Sequence, residues 1–309
     1  MNFLQRAFDQ QNQFWKYLIV FVAALLGGQI LGSIPFLSVL FYKIIQSKGT
    51  IAINPKNFMD FSNFGLSKNL TLFLFLFVFV VILIVAVLLI KALHKRSFAE
   101  TVNGTKKIRI NRCLTGAAVW GIIMVIFFFG DFFLNPDNFR LQFEISAFIP
   151  LLFIALLLIP IQTTTEELLF RGYLTQGLAG WTNNRWIAIL VPGFLFGLMH
   201  SMNPEVKEFG FWITMPQYIF FGVLWGLIAV LDDGIELAIG MHAANNLFGS
   251  LFITHSASSL QTNAIFEQLH IMPEKELITL IIGGSIALAF FAWKYKWNFK
   301  ILNQKIIKV

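Results

Sequence analysis

The sequence predicts an all-α fold: a polytopic membrane helix bundle of about eight transmembrane helices, with a polar cavity open to the cytoplasm. Three observations predict it. Of 309 residues, 57% are hydrophobic, and the mean hydropathy is +0.72. Only 13% are charged, about half the level of a soluble domain. The apolar residues also come in runs near the roughly 20 residues that a helix needs to cross a bilayer.

The first run covers about Tyr17–Leu40. It holds Gly28-x-x-x-Gly32, which lets another helix approach closely, and Pro35, which predicts a kink. The first 14 residues are polar and mixed, and no small-residue cleavage site follows, so this run reads as a retained span rather than a signal peptide. The second span, about Leu70–Leu93, is the most hydrophobic. The third runs about Cys113–Leu134, with Asp131 near its end. The fourth begins near Phe143 and carries Pro150 and Pro160. The others cover about Trp186–Met202, Pro216–Leu231, Ile235–Thr254 and Leu277–Trp297. Gly193-x-x-x-Gly197 and Gly222-x-x-x-Gly226 are two further small-residue faces.

The net charge of +7 does not point to nucleic acid, because the basic residues lie between apolar runs. Retention of positive loops in the cytoplasm explains them. The loop after the second span carries Lys95, Arg96, Lys106, Lys107, Arg109 and Arg112, and the tail carries Lys296, Lys300, Lys305 and Lys308. With eight spans these share a side with the N-terminus, so both termini are expected in the cytoplasm. Lys43, Lys48, Lys56 and Lys68 in the first outer loop count against this, in a longer and more mixed loop. One cysteine, Cys113, excludes an internal disulfide and a cysteine-rich zinc site.

The fourth segment is too long for one span. From Phe143 to Leu178 is about 36 residues, or roughly 54 Å of helix against a ~30 Å core. Pro160 is expected to break or bend it, with Thr163, Thr164 and Thr165 placed to satisfy freed backbone groups, or simply to pack the helix. Just beyond comes Glu166-Glu167-Leu168-Leu169-Phe170-Arg171-Gly172. A charged side chain at bilayer depth costs at least ~2.5 kcal/mol, so ionisable residues there mark sites. Glu167 and Arg171 are four apart and share a helix face. Glu166 is rotated by roughly 100° from Glu167, toward Leu169 and Phe170. One carboxylate therefore has a cation beside it, and the other faces apolar side chains. This pushes their pKa values apart, with that of Glu166 raised. The plainer alternative is a structural Glu–Arg lock between helices.

Three more polar residues join them. His200 ends the fifth span. His242 and Asn246 lie one turn apart in the seventh. Counted from the turn near Trp181–Asn184, Glu166 and His200 both lie roughly 25 Å deep and can meet across a hairpin. His242 lies only ~12 Å beyond Asp232-Asp233-Gly234, so it reaches them only if helices tilt or the hairpin protrudes. His94, His255 and His270 fall in loops or near span ends and receive no role.

These residues resemble the CPBP family, the intramembrane CaaX prenyl endopeptidases and bacteriocin-processing proteases also called the ABI family. Its pattern is E-E-x-x-x-R, then F-x-x-x-H, then H-x-x-x-N. Here it reads Glu166-Glu167…Arg171, Phe196…His200 and His242…Asn246, in order and on separate spans. The resemblance covers about residues 145–255. It divides the chain into an N-terminal three-helix region without a motif (1–140), a catalytic core (141–255), and a last helix with a basic cytoplasmic tail (256–309). It implies that Glu166 activates water with His200, that His242 and Asn246 stabilise the oxyanion, and that Glu167 and Arg171 support them. The implied substrate is a peptide or protein at the membrane lipid, lipidated or bacteriocin-like, and the expected home is a bacterial inner membrane.

Two rival readings remain, a transporter or proton relay and a non-catalytic bacteriocin immunity protein. Zinc on Glu166, His200 and His242 is the alternative to a metal-free site. There is no H-E-x-x-H motif, and Asn246 suits an oxyanion better than a metal. The sequence therefore favours no cofactor and a metal-independent glutamate mechanism.

Overall fold

The computed structural model describes residues 3–9, 12–47 and 61–306. Lys48, Lys56, Lys308 and Val309 lie outside them. Among the described residues, six helices are long and apolar enough to cross a membrane. They are α1 (Phe14–Gln46), α2 (Lys68–His94), α4 (Ile110–Leu134), α5 (Ile145–Thr182), α8 (Phe211–Leu231) and α10 (Pro273–Tyr295). Two shorter helices stand where spans five and seven were expected, α6 (Arg185–Met199) and α9 (Glu236–Leu251). Two one-turn-scale helices, α3 (Phe98–Asn103) and α7 (Pro204–Phe209), sit in connections. A short sheet joins β1 (Phe139–Leu141) antiparallel to β3 (Phe266–Gln268), with β2 (Ile253–Thr254) parallel to β3 on its other edge.

Glycines set the closest helix contacts. A Cβ on Gly28 would lie 2.7 Å from Ile82, and one on Gly32 would lie 2.8 Å from Val78, so the first small-residue face packs α1 on α2. A Cβ on Gly193 would meet the Gly222 backbone at 2.9 Å, which brings the α6 and α8 main chains together. Gly240 sits so close to the Cys113 carbonyl that no Cβ would fit. This presses α9 onto α4 two residues before His242.

The helical distortions differ from expectation. α5 continues through Pro160 without a break, and α1 continues through Pro35. Widened π-turns occur instead at Ala23–Gly27 and Leu168–Leu174. Each proline's missing N–H is accommodated without ending its helix. π-turns insert a residue and are common at functional sites. The second one starts immediately after Glu167. Two of the threonines do bond backbone carbonyls beside Pro160. Thr165 Oγ1 donates to Ile161 O and Phe79 O at 2.7 and 3.2 Å, and Thr163 Oγ1 donates to Pro160 O at 3.3 Å.

The depth mismatch at His242 resolves through a protruding hairpin. A Cβ on Gly172 would lie 3.3 Å from Ile235 Cδ1, so these two residues share a level. From there Glu166 is six residues along α5 and His242 seven along α9, which places both ~10 Å deep. The rest of α5 and the start of α6 extend past the Asp232–Gly234 turn. An N-terminal 3₁₀ turn, Leu4–Phe8, packs there, with Phe3 N–H donating to Asp233 Oδ1 at 3.1 Å.

Several of the basic residues at this end are committed to structure. Arg96 is buried and donates to Asp9, Asn12, Tyr17 and Gln176. Arg109 and Arg112 reach Asp232 at 3.2 and 3.4 Å, and Arg109 also pairs with Glu236 at 2.5 Å. Residues 297–304 join the same end, where Trp297 Nε1 donates to Asp232 Oδ1 and Trp186 Nε1 to Asn303 Oδ1.

Candidate active site

The site forms where α5 enters its π-turn against α6, α8 and α9. Glu167 and Arg171 are fully buried and pair at 2.9 Å. The arginine lies 3.9 Å above the Phe196 ring, and its Nη2 points at Phe221 O at 3.5 Å. A buried ion pair of this kind pays for its desolvation only through additional partners, and here the additional partner is a histidine. His242 Nδ1 lies 2.8 Å from Glu167 Oε1, and its Nε2 lies 3.5 Å from Glu166 Oε2. The His242 ring stacks on Trp225 at 4.2 Å between centroids.

The hydrogen-bond partners fix how each histidine faces the site. A carboxylate or a carbonyl only accepts, so the nitrogen beside it carries the proton. His242 therefore donates Nδ1–H to Glu167 and turns Nε2 to the site. His200 donates Nδ1–H to Phe196 O at 2.8 Å, which leaves Nε2 as a lone pair, and its ring stacks on Tyr218 at 4.5 Å. Asn246 donates to Gln162 Oε1 at 3.0 Å.

Glu166, His200, His242 and Asn246 all line one cavity of about 840 Å³. The structure thus brings together all four expected reactive residues, with Glu167 and Arg171 directly behind them. Tyr218, Trp225, Gln162 and Asn245 also line it, and sequence reading missed them. Gln162 carried a usable signal, a polar residue one turn before Glu166 in an apolar helix. His255, given no role from sequence, lines the cavity too. Burial pushes its pKa down to about 4. Burial likewise pushes the Glu205 carboxyl up, against the pull of the Ser259 N–H.

The cavity runs away from the termini. Its far residues, Phe61, Glu205, His255 and Ser258–Leu260, belong to the connections at the end opposite the Leu4–Phe8 turn. The cavity therefore extends from the Glu166 level toward the end opposite the termini.

No group of three or more His, Cys, Asp or Glu among the described residues is placed to hold a metal ion.

Comparison with known proteins agrees with the geometry. A family model described as type II CAAX prenyl endopeptidase Rce1-like matches residues 145–248. The Bacillus subtilis (strain 168) protein YyaK, described as uncharacterized, is 32% identical over 260 residues, 84% of each chain. No solved structure matches.

Proposed function

Because the chain belongs to the Rce1-like family of type II CAAX prenyl endopeptidases, we propose that it is a glutamate-type intramembrane protease that hydrolyses a peptide bond close to the bilayer. The observation that carries this reading is the joint presence of Glu166, His200, His242 and Asn246 on one cavity. Glu166 and the Nε2 lone pair of His200 are two acceptors for one water. Glu166 takes a proton from that water as its oxygen attacks the scissile carbonyl carbon. The Asn246 amide donates to the resulting oxyanion, joined by His242 Nε2–H when that ring carries a second proton besides the Nδ1–H held by Glu167. The proton on Glu166 then passes to the leaving amine as the C–N bond breaks. Glu167 does not react; it holds His242 by Nδ1, as an orienting carboxylate does in a Ser-His-Asp triad.

The basic end supports cytoplasmic termini in a bacterial cell membrane. The cavity then faces the other side, and its substrate is a lipidated or bacteriocin-like peptide presented there. Cleavage of a peptide library by the purified protein, beside its Glu166→Ala form, tests the reading. Cleavage lost in the variant supports a protease. Equal cleavage, or immunity function retained without Glu166, removes it.

A further inference from the structure

Four polar side chains on three helices form a directed chain through the wall of the cavity. Trp120 Nε1 of α4 donates to Asn245 Oδ1 at 3.2 Å. Asn245 Nδ2 donates to Asn246 Oδ1 at 3.1 Å, and Asn246 Nδ2 donates to Gln162 Oε1 of α5 at 3.0 Å. Trp120 is buried. Amide side chains can face either way, and a pair of them alone would leave the direction open. The indole removes that freedom, because it donates and cannot accept. With Nε1–H at one end, Asn245 must present its oxygen to Trp120 and its amino group to Asn246. Asn246 must then accept on its own oxygen and turn its amino group toward Gln162.

We propose that Trp120 and Asn245 are positioning residues that hold the Asn246 amide with its N–H, rather than its C=O, available to the reacting carbonyl. The inference rests on the oxyanion role given above to Asn246. One Asn246 N–H is used on Gln162 and the second remains for the oxyanion. Reversed, Asn246 would set a carbonyl dipole against the developing negative charge. Asn245 also borders a second, apolar cavity of about 600 Å³ between α4, α8, α9 and α10, which Trp120 lines as well. The chain thus ties the α4 side of that cavity to the catalytic wall.

The test uses the full protein with Asn245→Leu, which keeps the shape and removes both polar atoms, and Trp120→Phe, which keeps a ring and removes the donor. Removing one oxyanion donor typically lowers kcat by about 10²–10³-fold, so Asn246→Ala sets the scale. Each positioning variant is expected to lower kcat at least roughly tenfold with KM unchanged. Asn245→Leu added to Asn246→Ala is expected to cost nothing more, since coupled residues are non-additive. Unchanged kcat, or losses that multiply in the double variant, overturn the proposal.

A second measurement does not depend on proteolysis. In protein labelled with ¹⁵N-tryptophan, the Trp120 indole resonance, assigned from its loss in Trp120→Phe, is expected to shift and lose exchange protection in Asn245→Leu. An unmoved resonance overturns the chain itself. A shifted resonance in a protein that cleaves nothing upholds the chain and removes the protease reading instead.

Discussion

Glu167 Oε1 is shared: Arg171 Nη1 reaches it at 2.9 Å and His242 Nδ1 at 2.8 Å. One buried oxygen therefore joins the π-turn of α5 to α9. Glu166 has no such duty: among the described residues its Oε2 makes no hydrogen bond, and it lies 3.5 Å from His242 Nε2. Glu166→Gln is expected to leave the thermal transition in detergent unchanged and to lower kcat by about 10²–10⁴-fold, the usual reach of general acid–base catalysis. Glu167→Gln strands Arg171 and loosens His242. It is expected to cost about 3–5 kcal/mol, as removal of one partner from a buried pair does, and to inactivate as well. Equal melting temperatures for the two variants would reverse the assignment.

His255 offers a pH test. Its pKa is pushed down from 6.5 to about 4 by burial. The folded state resists a proton that the unfolded chain accepts, so the stability it contributes is present above about pH 6.5 and is lost as pH falls toward 4. The full difference is about 3 kcal/mol. Wild-type protein should lose stability relative to His255→Gln across that window, and the two curves should run parallel above it. Parallel curves throughout would show that His255 titrates normally in the folded state.

Topology is checked with fusion reporters at Gly104 and at Val309, both of which should report cytoplasm. A cysteine placed at Ser258 in a Cys113→Ala background should react with a membrane-impermeant thiol reagent on intact cells. Labelling of Ser258→Cys only after lysis, with external reporter signals, would invert the molecule and place the cavity mouth in the cytoplasm.

Elemental analysis of active protein should find no stoichiometric zinc, and chelator dialysis should leave activity intact. Activity lost on chelation and restored by zinc alone would end the glutamate mechanism.

The pairings within each helix were legible because their spacing is local. Glu167 and Arg171 are one turn apart, as are His242 and Asn246, and the structure keeps both relationships. What sequence could not convey was their partners. Nothing along the chain says that Glu167 accepts a hydrogen bond from His242, 75 positions away, or that Trp120 donates to Asn245. Such pairings depend on how helices rotate against each other. A proline marks where a helix can bend, while the π-turn at Leu168–Leu174 came without any proline. The basic loop carried a second role that its charges alone did not convey, since Arg96, Arg109 and Arg112 also form ion pairs within the fold.

The shortness of α6 has a consequence for the surrounding lipid. Its 15 residues span only ~22 Å, against a hydrocarbon core of ~30 Å. Leu190, Phe194 and Leu198 on its outer face are exposed, so acyl chains must meet this deficit directly. Hydrophobic mismatch of this sign is relieved by local thinning of the bilayer. The headgroup region is thereby drawn down toward His200 at the end of α6, and acyl-chain length becomes a variable that sets how far water and a polar peptide must travel to reach the catalytic depth.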